Sequence, residues 1–142
     1  MTFRIPIVVR SYELDALGHV NHAVYHQYAE VARMNGFRAA GCDWDGLMGR
    51  RTAPVLLSTT VNFRRELRAN EDIEVSCEVK FGTGKTFNVN SMITKADGTV
   101  SAEIYCIVGL MDLEARKLLA DPRTSLEAAG FDPAVLTAFD QH

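Results

Sequence analysis

The sequence has too few cysteines, and apolar runs too short, for several classes of protein. It carries only three cysteines in 142 residues, Cys42, Cys77 and Cys106. Their odd number and wide spacing fit neither a disulfide framework nor a zinc knuckle. Cys77 and Cys106 lie in strand-like runs, which predicts two small, buried side chains. The longest apolar runs are far shorter than the ~18 residues of a membrane span, so no membrane partner is expected.

Basic residues are also too scattered to indicate binding to nucleic acid. The chain has 15 Lys and Arg against 18 Asp and Glu, a formal net charge of −3. The densest basic clusters, Arg50-Arg51 and Arg64-Arg65 with Arg68, are short enough to be ordinary solvated surface. The first residues show no secretory signal pattern, so we expect a cytoplasmic protein.

A carboxylate, a glycine and two histidines stand immediately before a long helical pattern. Asn21 is a suitable N-cap, and the helix is predicted from about His22 to Ala39 or Ala40, with Gly41 as its stop. A carboxylate facing a helix N-terminus can act as base or nucleophile, while free backbone N–H groups hold an oxyanion. The segment therefore indicates attack on a carbonyl. It reads Glu13-Leu14-Asp15-Ala16-Leu17-Gly18-His19-Val20-Asn21-His22-Ala23-Val24-Tyr25.

The rest of the chain predicts one strand before this helix, four strands after it and a short helical tail. Period-two alternation and turn residues such as Asp97-Gly98 separate the strands. The predicted strands are Phe3–Tyr12, Pro54–Leu67, Asp72–Phe81, Thr86–Lys95 and Thr99–Met111. One face of the second strand is expected to carry Val55, Leu57, Thr59, Val61 and Phe63. The tail, residues 121–142, is expected to hold short helices at Ser125–Ala129 and Pro133–Phe139.

Within the long helix, apolar residues recur at helical spacing and form a wide stripe. Gly36 interrupts the pattern at a cost of about 1 kcal/mol relative to alanine, so close packing or a bend is expected there. Cys42 to Thr52 is expected to form a loop or a short helical turn. The stripe comprises Val24, Tyr25, Tyr28, Ala29, Val31 and Ala32.

This order of elements favours an α+β fold, with a curved five-stranded antiparallel sheet wrapped around one long central helix. We expect a single domain over residues 1–142, with its core at about residues 3–112. One helix covers only one face of such a sheet, so the other face and the sheet edges are free to pair with another copy. The pattern therefore predicts a homo-oligomer, a dimer or a tetramer.

The segment from Asp15 to Tyr25, continued by Tyr28, Glu30 and Arg33, resembles the motif of hotdog-fold acyl-CoA thioesterases of the 4-hydroxybenzoyl-CoA thioesterase family. Members carry Asp-x-x-Gly-His-Val-Asn-Asn-x-x-Tyr-x-x-Tyr or a near variant. The order of elements also agrees over about residues 3–112. The resemblance implies the hotdog fold and hydrolysis of an acyl-CoA thioester to free acid and CoA, without a cofactor.

The resemblance also implies roles for particular residues at an active site shared between two subunits. Asp15 would be the catalytic carboxylate, and the backbone N–H of His22 would polarise the thioester carbonyl. Lys85 would contact a CoA phosphate, with Arg64 and Arg65 as weaker candidates for that contact and solvated surface as the alternative for each. The other implied substrate-binding residues are Gly18, His19, Asn21 and Tyr25.

Two positions depart from the family motif. Glu13 stands where members often carry a second aspartate, a change that we expect to matter little. His22 stands where asparagine is common, which leaves the acyl specificity more open. Glu30 is a reserve catalytic candidate, because other hotdog thioesterases place a glutamate on the central helix. A salt bridge from Glu30 to Arg33 or Arg64 is the favoured alternative.

The residues themselves leave other interpretations open. Asp15 also suits a structural Asx turn before a helix. His19, His22 and His26 would share a helix face only if the helix began earlier, and no HExxH pattern is present, so no metal site is expected. A hydroxyacyl dehydratase and a non-catalytic acyl-thioester-binding protein remain alternative functions. The sequence chooses neither the acyl group nor between nucleophilic and general-base attack.

Overall fold

A computed structural model describes residues 2–137, and helix α1, His22–Ala39, forms its centre. The Asn21 side chain accepts a hydrogen bond from the Ala23 N–H at 2.9 Å, so the predicted N-cap is confirmed. Gly41 follows the helix with a φ of 88°, the left-handed conformation expected of a helix stop. Within residues 2–137, neither α1 nor any other helix is long and apolar enough to cross a membrane.

An antiparallel sheet packs against α1, with the strand order β1-β3-β4-β5-β2 and a short β6 paired to β5. The predicted α+β architecture, a curved antiparallel sheet around one long helix, is confirmed, and β6 adds a sixth strand. The strands are β1 Phe3–Val8, β2 Thr52–Phe63, β3 Asp72–Phe81, β4 Thr86–Lys95, β5 Val100–Asp112 and β6 Lys117–Leu118. Two short helices, α2 Trp44–Gly49 and α3 Pro122–Ala128, complete the fold together with 3₁₀ turns at Ser11–Glu13 and Pro133–Leu136.

The predicted bounds are right for β3 and β4 and one residue off for β5. They are wrong for β1, which ends at Val8 because the 3₁₀ turn follows it. They are also wrong for β2, which begins at Thr52 and ends at Phe63. The β2 ladder ends there because the next two backbone N–H groups both donate to the carbonyl oxygen of Ser101.

The tail helices also differ from their predicted bounds. The first begins at Pro122, three residues earlier than predicted, because the Asp121 carboxylate accepts a hydrogen bond from the Thr124 N–H at 3.2 Å and caps it. The second is a 3₁₀ turn over Pro133–Leu136. The end of its predicted range, Ala138 and Phe139, lies outside the described residues.

A β-bulge in β2 overturns the predicted alternation on that strand. Leu56 pairs with Val108 and Ser58 pairs with Ile107, so Leu57 has no partner on β5. The residues of β2 before the bulge therefore lie on the opposite face of the sheet from the one that continuous alternation predicts. The helix-facing positions of β2 are Pro54, Leu56, Thr59, Val61 and Phe63, opposite the buried Leu110, Val108, Cys106, Ile104 and Ala102.

The core lies between the helix-facing side of the sheet and α1. Most of the predicted stripe is buried, but Val31 is exposed, because it lies on the side of α1 that the sheet does not cover. The close packing expected at Gly36 is confirmed, since a Cβ there would lie 3.2 Å from the Cys77 Sγ. Cys77 and Cys106 are buried and free, as predicted.

The C-terminal segment packs on the end of α1 through two glycines. Gly41 and Gly130 both have positive φ, and a Cβ on Gly41 would lie 2.8 Å from the Gly130 carbonyl oxygen. The N–H of Asp132 donates to the Ala40 carbonyl at 2.7 Å, and the Phe131 ring stacks on Phe37. The end of α1 therefore holds the tail against the core.

Replacing Gly41 with alanine is expected to lower the free energy of unfolding by about 2 kcal/mol, because it combines a left-handed backbone with a clash against Gly130. Chemical denaturation measures this change. Gly82→Ala is the matched control, since Gly82 lacks a positive φ and its Cβ would meet nothing within 4 Å. Equal stability of the two variants would show that the contact between the glycines contributes nothing.

Candidate active site

The loop between Leu14 and Val20 fixes the backbone of Asp15 beside the start of α1. Leu14 and Val20 form an antiparallel bridge. Inside it, the Asp15 N–H donates to the His19 carbonyl at 2.7 Å, and the Gly18 N–H donates to the Asp15 carbonyl at 3.0 Å. Gly18 has a φ of 82°, which this tight reversal requires. The segment is therefore a small hairpin-like loop with Asp15 at its base.

The Asp15 carboxylate is exposed and is oriented by its own loop. Its Oδ1 atom accepts hydrogen bonds from the Leu17 N–H at 2.9 Å and the His19 N–H at 3.3 Å. The Asx-turn geometry weighed from the sequence is therefore present. Both bonds use Oδ1, and Oδ2 accepts no hydrogen bond from residues 2–137. The carboxylate is thus held in one orientation with one oxygen left for another partner.

The helix cap uses some of the backbone donors in the first turn of α1. The Ala23 N–H donates to the Asn21 side chain, and the Val24 N–H donates to the Asn21 carbonyl at 2.9 Å. The N–H of His22 meets no acceptor in the part of the chain that the structure describes. Unpaired N–H groups at a helix N-terminus carry partial positive charge and favour an anionic oxygen.

A cleft of about 290 Å³ brings Asp15 together with His19, His22 and Tyr25. Burial raises the pKa of the Tyr25 hydroxyl, so this ring stays neutral at physiological pH. Gly18 and Asn21 shape the adjoining loop and helix cap without lining the cleft. The remaining lining residues are Val20, Phe63, Arg64, Arg65 and Glu66.

The end of β2 and the segment that follows it were only partly predicted as part of a site. Arg64 and Arg65 were weaker candidates for a CoA phosphate contact, with solvated surface as the favoured alternative. Neither Phe63, the last residue of β2, nor Glu66 was predicted to line a site. The Val20 N–H donates to the carbonyl of the fully buried Leu67 at 2.9 Å, which anchors this segment beside the Asp15 loop. The segment's own sequence carries no signal for this contact, since the two stretches are more than 40 residues apart.

Lys85 does not reach this cleft within one chain. The neighbouring Thr86 pairs with Gly109 at one end of β5, whereas Phe63 pairs with Ala102 at the other end. Seven residues of extended strand separate those positions, a distance of about 23 Å. Lys85 therefore lies at the opposite end of the sheet from Asp15.

Glu30 also lies away from the cleft, beside a second cavity of about 210 Å³ between α1 and β2. The favoured salt bridge from Glu30 is wrong: Arg64 instead pairs with Glu103 at 2.7 Å, and no ion pair joins Glu30 to Arg33 within residues 2–137. The Arg33 guanidinium lies 3.9 Å from the Cys106 Sγ on the sheet, and Glu30 is exposed.

The histidines do not converge on one point. His19 lies in the loop before α1, His22 is the first residue of the helix, and His26 is exposed on it. Among residues 2–137, no group of three or more His, Cys, Asp or Glu side chains lies close enough together to hold a metal ion.

Comparison with known proteins relates this chain to thioesterases. Over 115 residues, the chain is 28% identical to the long-chain acyl-CoA thioesterase FadM of Escherichia coli (strain K12), covering 80% of this chain and 86% of that protein. It is 29% identical over 122 residues to the acyl-CoA thioester hydrolase YbgC of Escherichia coli O6:H1, covering 86% and 91%. The crystal structure of the probable thioesterase YbaW from Escherichia coli superposes with a TM-score of 0.80 at 27% identity, covering 89% of this chain and 98% of that one.

These comparisons confirm the resemblance to hotdog-fold thioesterases that the Asp15–Tyr25 motif indicated. The family model of the thioesterase-like superfamily matches residues 9–139, which include the Asp15 loop, the central helix and all the later strands. The chain therefore belongs to the thioesterase-like superfamily.

Proposed function

We propose that this chain is an acyl-CoA thioesterase that hydrolyses an acyl-CoA thioester to a free acid and CoA in the cleft at Asp15. One observation carries the proposal: an oriented carboxylate and an unused helix N-terminal N–H, those of Asp15 and His22, line the same cleft. The activities for which FadM and YbgC are named support the choice of a thioester as substrate.

Two routes use this geometry, and both need the same oxyanion donor. In the first, Asp15 attacks the thioester carbon, the C–S bond breaks, CoA leaves as a thiolate that takes up a proton, and water hydrolyses the resulting anhydride. In the second, Asp15 takes a proton from the water that attacks the thioester carbon, the C–S bond breaks, and the CoA thiolate takes up a proton. In either route the carbonyl oxygen becomes an anion, and the N–H of His22 would stabilise it.

The other motif residues would support these groups. Gly18 and His19 close the loop that orients Asp15, and Asn21 caps the helix that carries the oxyanion donor. Tyr25 contacts Phe63 edge to face at 5.0 Å and would form a wall of the substrate cleft. Lys85 would meet a CoA phosphate only at a cleft supplied by another subunit, because its own cleft lies at the far end of the sheet.

The exposed edge of β2 supports a homodimer with the cleft at its interface. In the described residues, β2 pairs only with β5, so its other edge presents unpaired backbone groups. Apolar side chains surround this edge: Leu56, Leu57 and Phe63 are each about half exposed. Since Phe63 also lines the cleft, a second copy paired along β2 would cover one side of it.

Asp15→Asn is expected to lower kcat for thioester hydrolysis at least 10²-fold, because the amide is neither a base nor an effective nucleophile. Release of free thiol from a panel of aromatic, short-chain and long-chain acyl-CoAs measures this loss and ranks the acyl groups. Circular dichroism verifies that the variant folds. If Asp15→Asn retains full activity, Asp15 is not the catalyst and Glu30→Gln becomes the variant to test.

The same panel separates the alternative functions. Loss of water from a 3-hydroxyacyl-CoA without thiol release would identify a dehydratase. Acyl-CoA binding without turnover, unchanged in Asp15→Asn, would identify a binding protein.

Leu57→Glu is expected to convert an oligomer into a monomer, because it places a charge on the apolar edge of β2. Sedimentation should give wild type a mass of at least twice that of the 15.7 kDa chain. The Leu57→Glu variant should lose activity because it dissociates. Met48→Glu alters an equally exposed apolar residue on α2 and serves as the control. A wild type that is monomeric and fully active would contradict the shared site.

A further inference from the structure

Glu13 is a buried carboxylate that the proposed chemistry does not use, and it joins three parts of the chain. Its side chain is only 9% exposed. Its Oε1 atom accepts hydrogen bonds from the Tyr28 hydroxyl at 2.7 Å and the Arg10 N–H at 2.8 Å, and Oε2 lies 3.2 Å from the Arg10 guanidinium. Its backbone carbonyl accepts the N–H of Asn21 at 2.9 Å.

These donors keep the buried group charged. Burial by itself raises the pKa of the Glu13 carboxyl, but the hydrogen bonds from Tyr28 and Arg10 outweigh it and hold that pKa below its usual range. Burial, and then the hydrogen bond to Glu13, raise the pKa of the Tyr28 hydroxyl well above its usual range. At neutral pH the pair is therefore a carboxylate that accepts from a protonated phenol, a short charge-assisted bond.

The hydrogen bond between Glu13 and Tyr28 connects the Asp15 loop to helix α1. Glu13 lies two residues before Asp15, immediately before the bridge that closes the Asp15 loop. Tyr28 lies six residues into α1 from His22, about 9 Å along the helix axis. The bond thus ties the base of the loop that carries the carboxylate to the body of the helix that carries the oxyanion donor.

We propose that Glu13 and Tyr28 are positioning residues whose hydrogen bond sets the geometry between the Asp15 carboxylate and the His22 N–H. This inference rests on the proposed thioesterase function. Neither side chain lines the cleft formed by the described residues, so both act through Asp15 and the start of α1. This proposal gives Glu13, which stands where family members often carry an aspartate, a role that the sequence did not predict.

Such a role acts on kcat more than on substrate binding. A displacement of about 1 Å between reacting groups can cost about 10²-fold in rate, whereas the walls that bind the acyl group and CoA stay in place. Tyr28→Phe removes one buried hydroxyl and keeps the ring in the core. We expect it to lower kcat 10- to 100-fold and to change KM less than threefold.

The experiment measures kcat and KM of wild type, Tyr28→Phe, Glu13→Gln and the double variant on the best acyl-CoA of the panel. Thermal denaturation of each protein locates a temperature at which all of them are folded for the assay. Tyr28→Phe removes the bond and Glu13→Gln weakens it, because an amide oxygen accepts less strongly than a carboxylate. Since both changes act on the same bond, the double variant is expected to lose no more kcat than the more impaired single variant. Tyr12→Phe, one residue from Glu13 but exposed, is the matched control and should leave both constants unchanged.

The outcomes separate this inference from the proposed function. Thiol release by wild type, with kcat of folded Tyr28→Phe within twofold, would overturn the positioning role alone. Independent losses that multiply in the double variant, or a rise in KM at constant kcat, would also overturn it. If Glu13→Gln does not fold, the kcat of Tyr28→Phe alone tests the positioning role. Absence of thiol release by wild type on the whole panel would overturn both the inference and the proposed function.

Discussion

The start of α1 is the constraint on which the rest of the site depends. Asn21 caps the helix by accepting hydrogen bonds from the N–H groups of Ala23 and Val24. Its own N–H donates to the Glu13 carbonyl. These bonds use neighbouring donors, and the N–H of His22 has no acceptor within residues 2–137. If the helix began one turn earlier, the His22 N–H would donate to a carbonyl within the helix. Part of the Asp15 loop would then be helical. The His22 N–H and the Asp15 Oδ2, neither of them paired within residues 2–137, therefore both belong to the boundary at the start of α1.

A functional carboxylate on an exposed loop needs rigid support, since loops are otherwise the more mobile parts of a fold. Here the support is mostly polar. The loop closes on its own backbone, its far end is held by the Leu67 carbonyl, and its base is held by the buried Glu13. Burial of a charge is unfavourable unless its lone pairs are satisfied. Donors from Arg10 and Tyr28 meet that requirement, so the cost of burying Glu13 is offset where the loop needs a fixed anchor.

The limits of the sequence-based prediction follow from how local each feature is. The bounds and caps of α1, and the presence of Asp15, His19, His22 and Tyr25 in one cleft, depend on a continuous motif and could be predicted. The bulge at Leu57 could not, because alternation continues through it in the sequence and only pairing with β5 reveals the extra residue. The contact of Glu13 with Tyr28 was missed for a similar reason, since nothing in either segment indicates which buried hydroxyl the acid meets.

The placement of Lys85 argues that the proposed site is completed by a second copy. Within one chain, Lys85 is about 23 Å along the sheet from the cleft. Antiparallel pairing of two β2 strands about their middle would turn one sheet end for end relative to the other. Lys85 would then lie at the same end of the joined sheet as the cleft of the partner subunit, three strand spacings across, or about 14 Å. In the proposed dimer, Lys85 is therefore nearer to the partner subunit's cleft than to the cleft of its own chain.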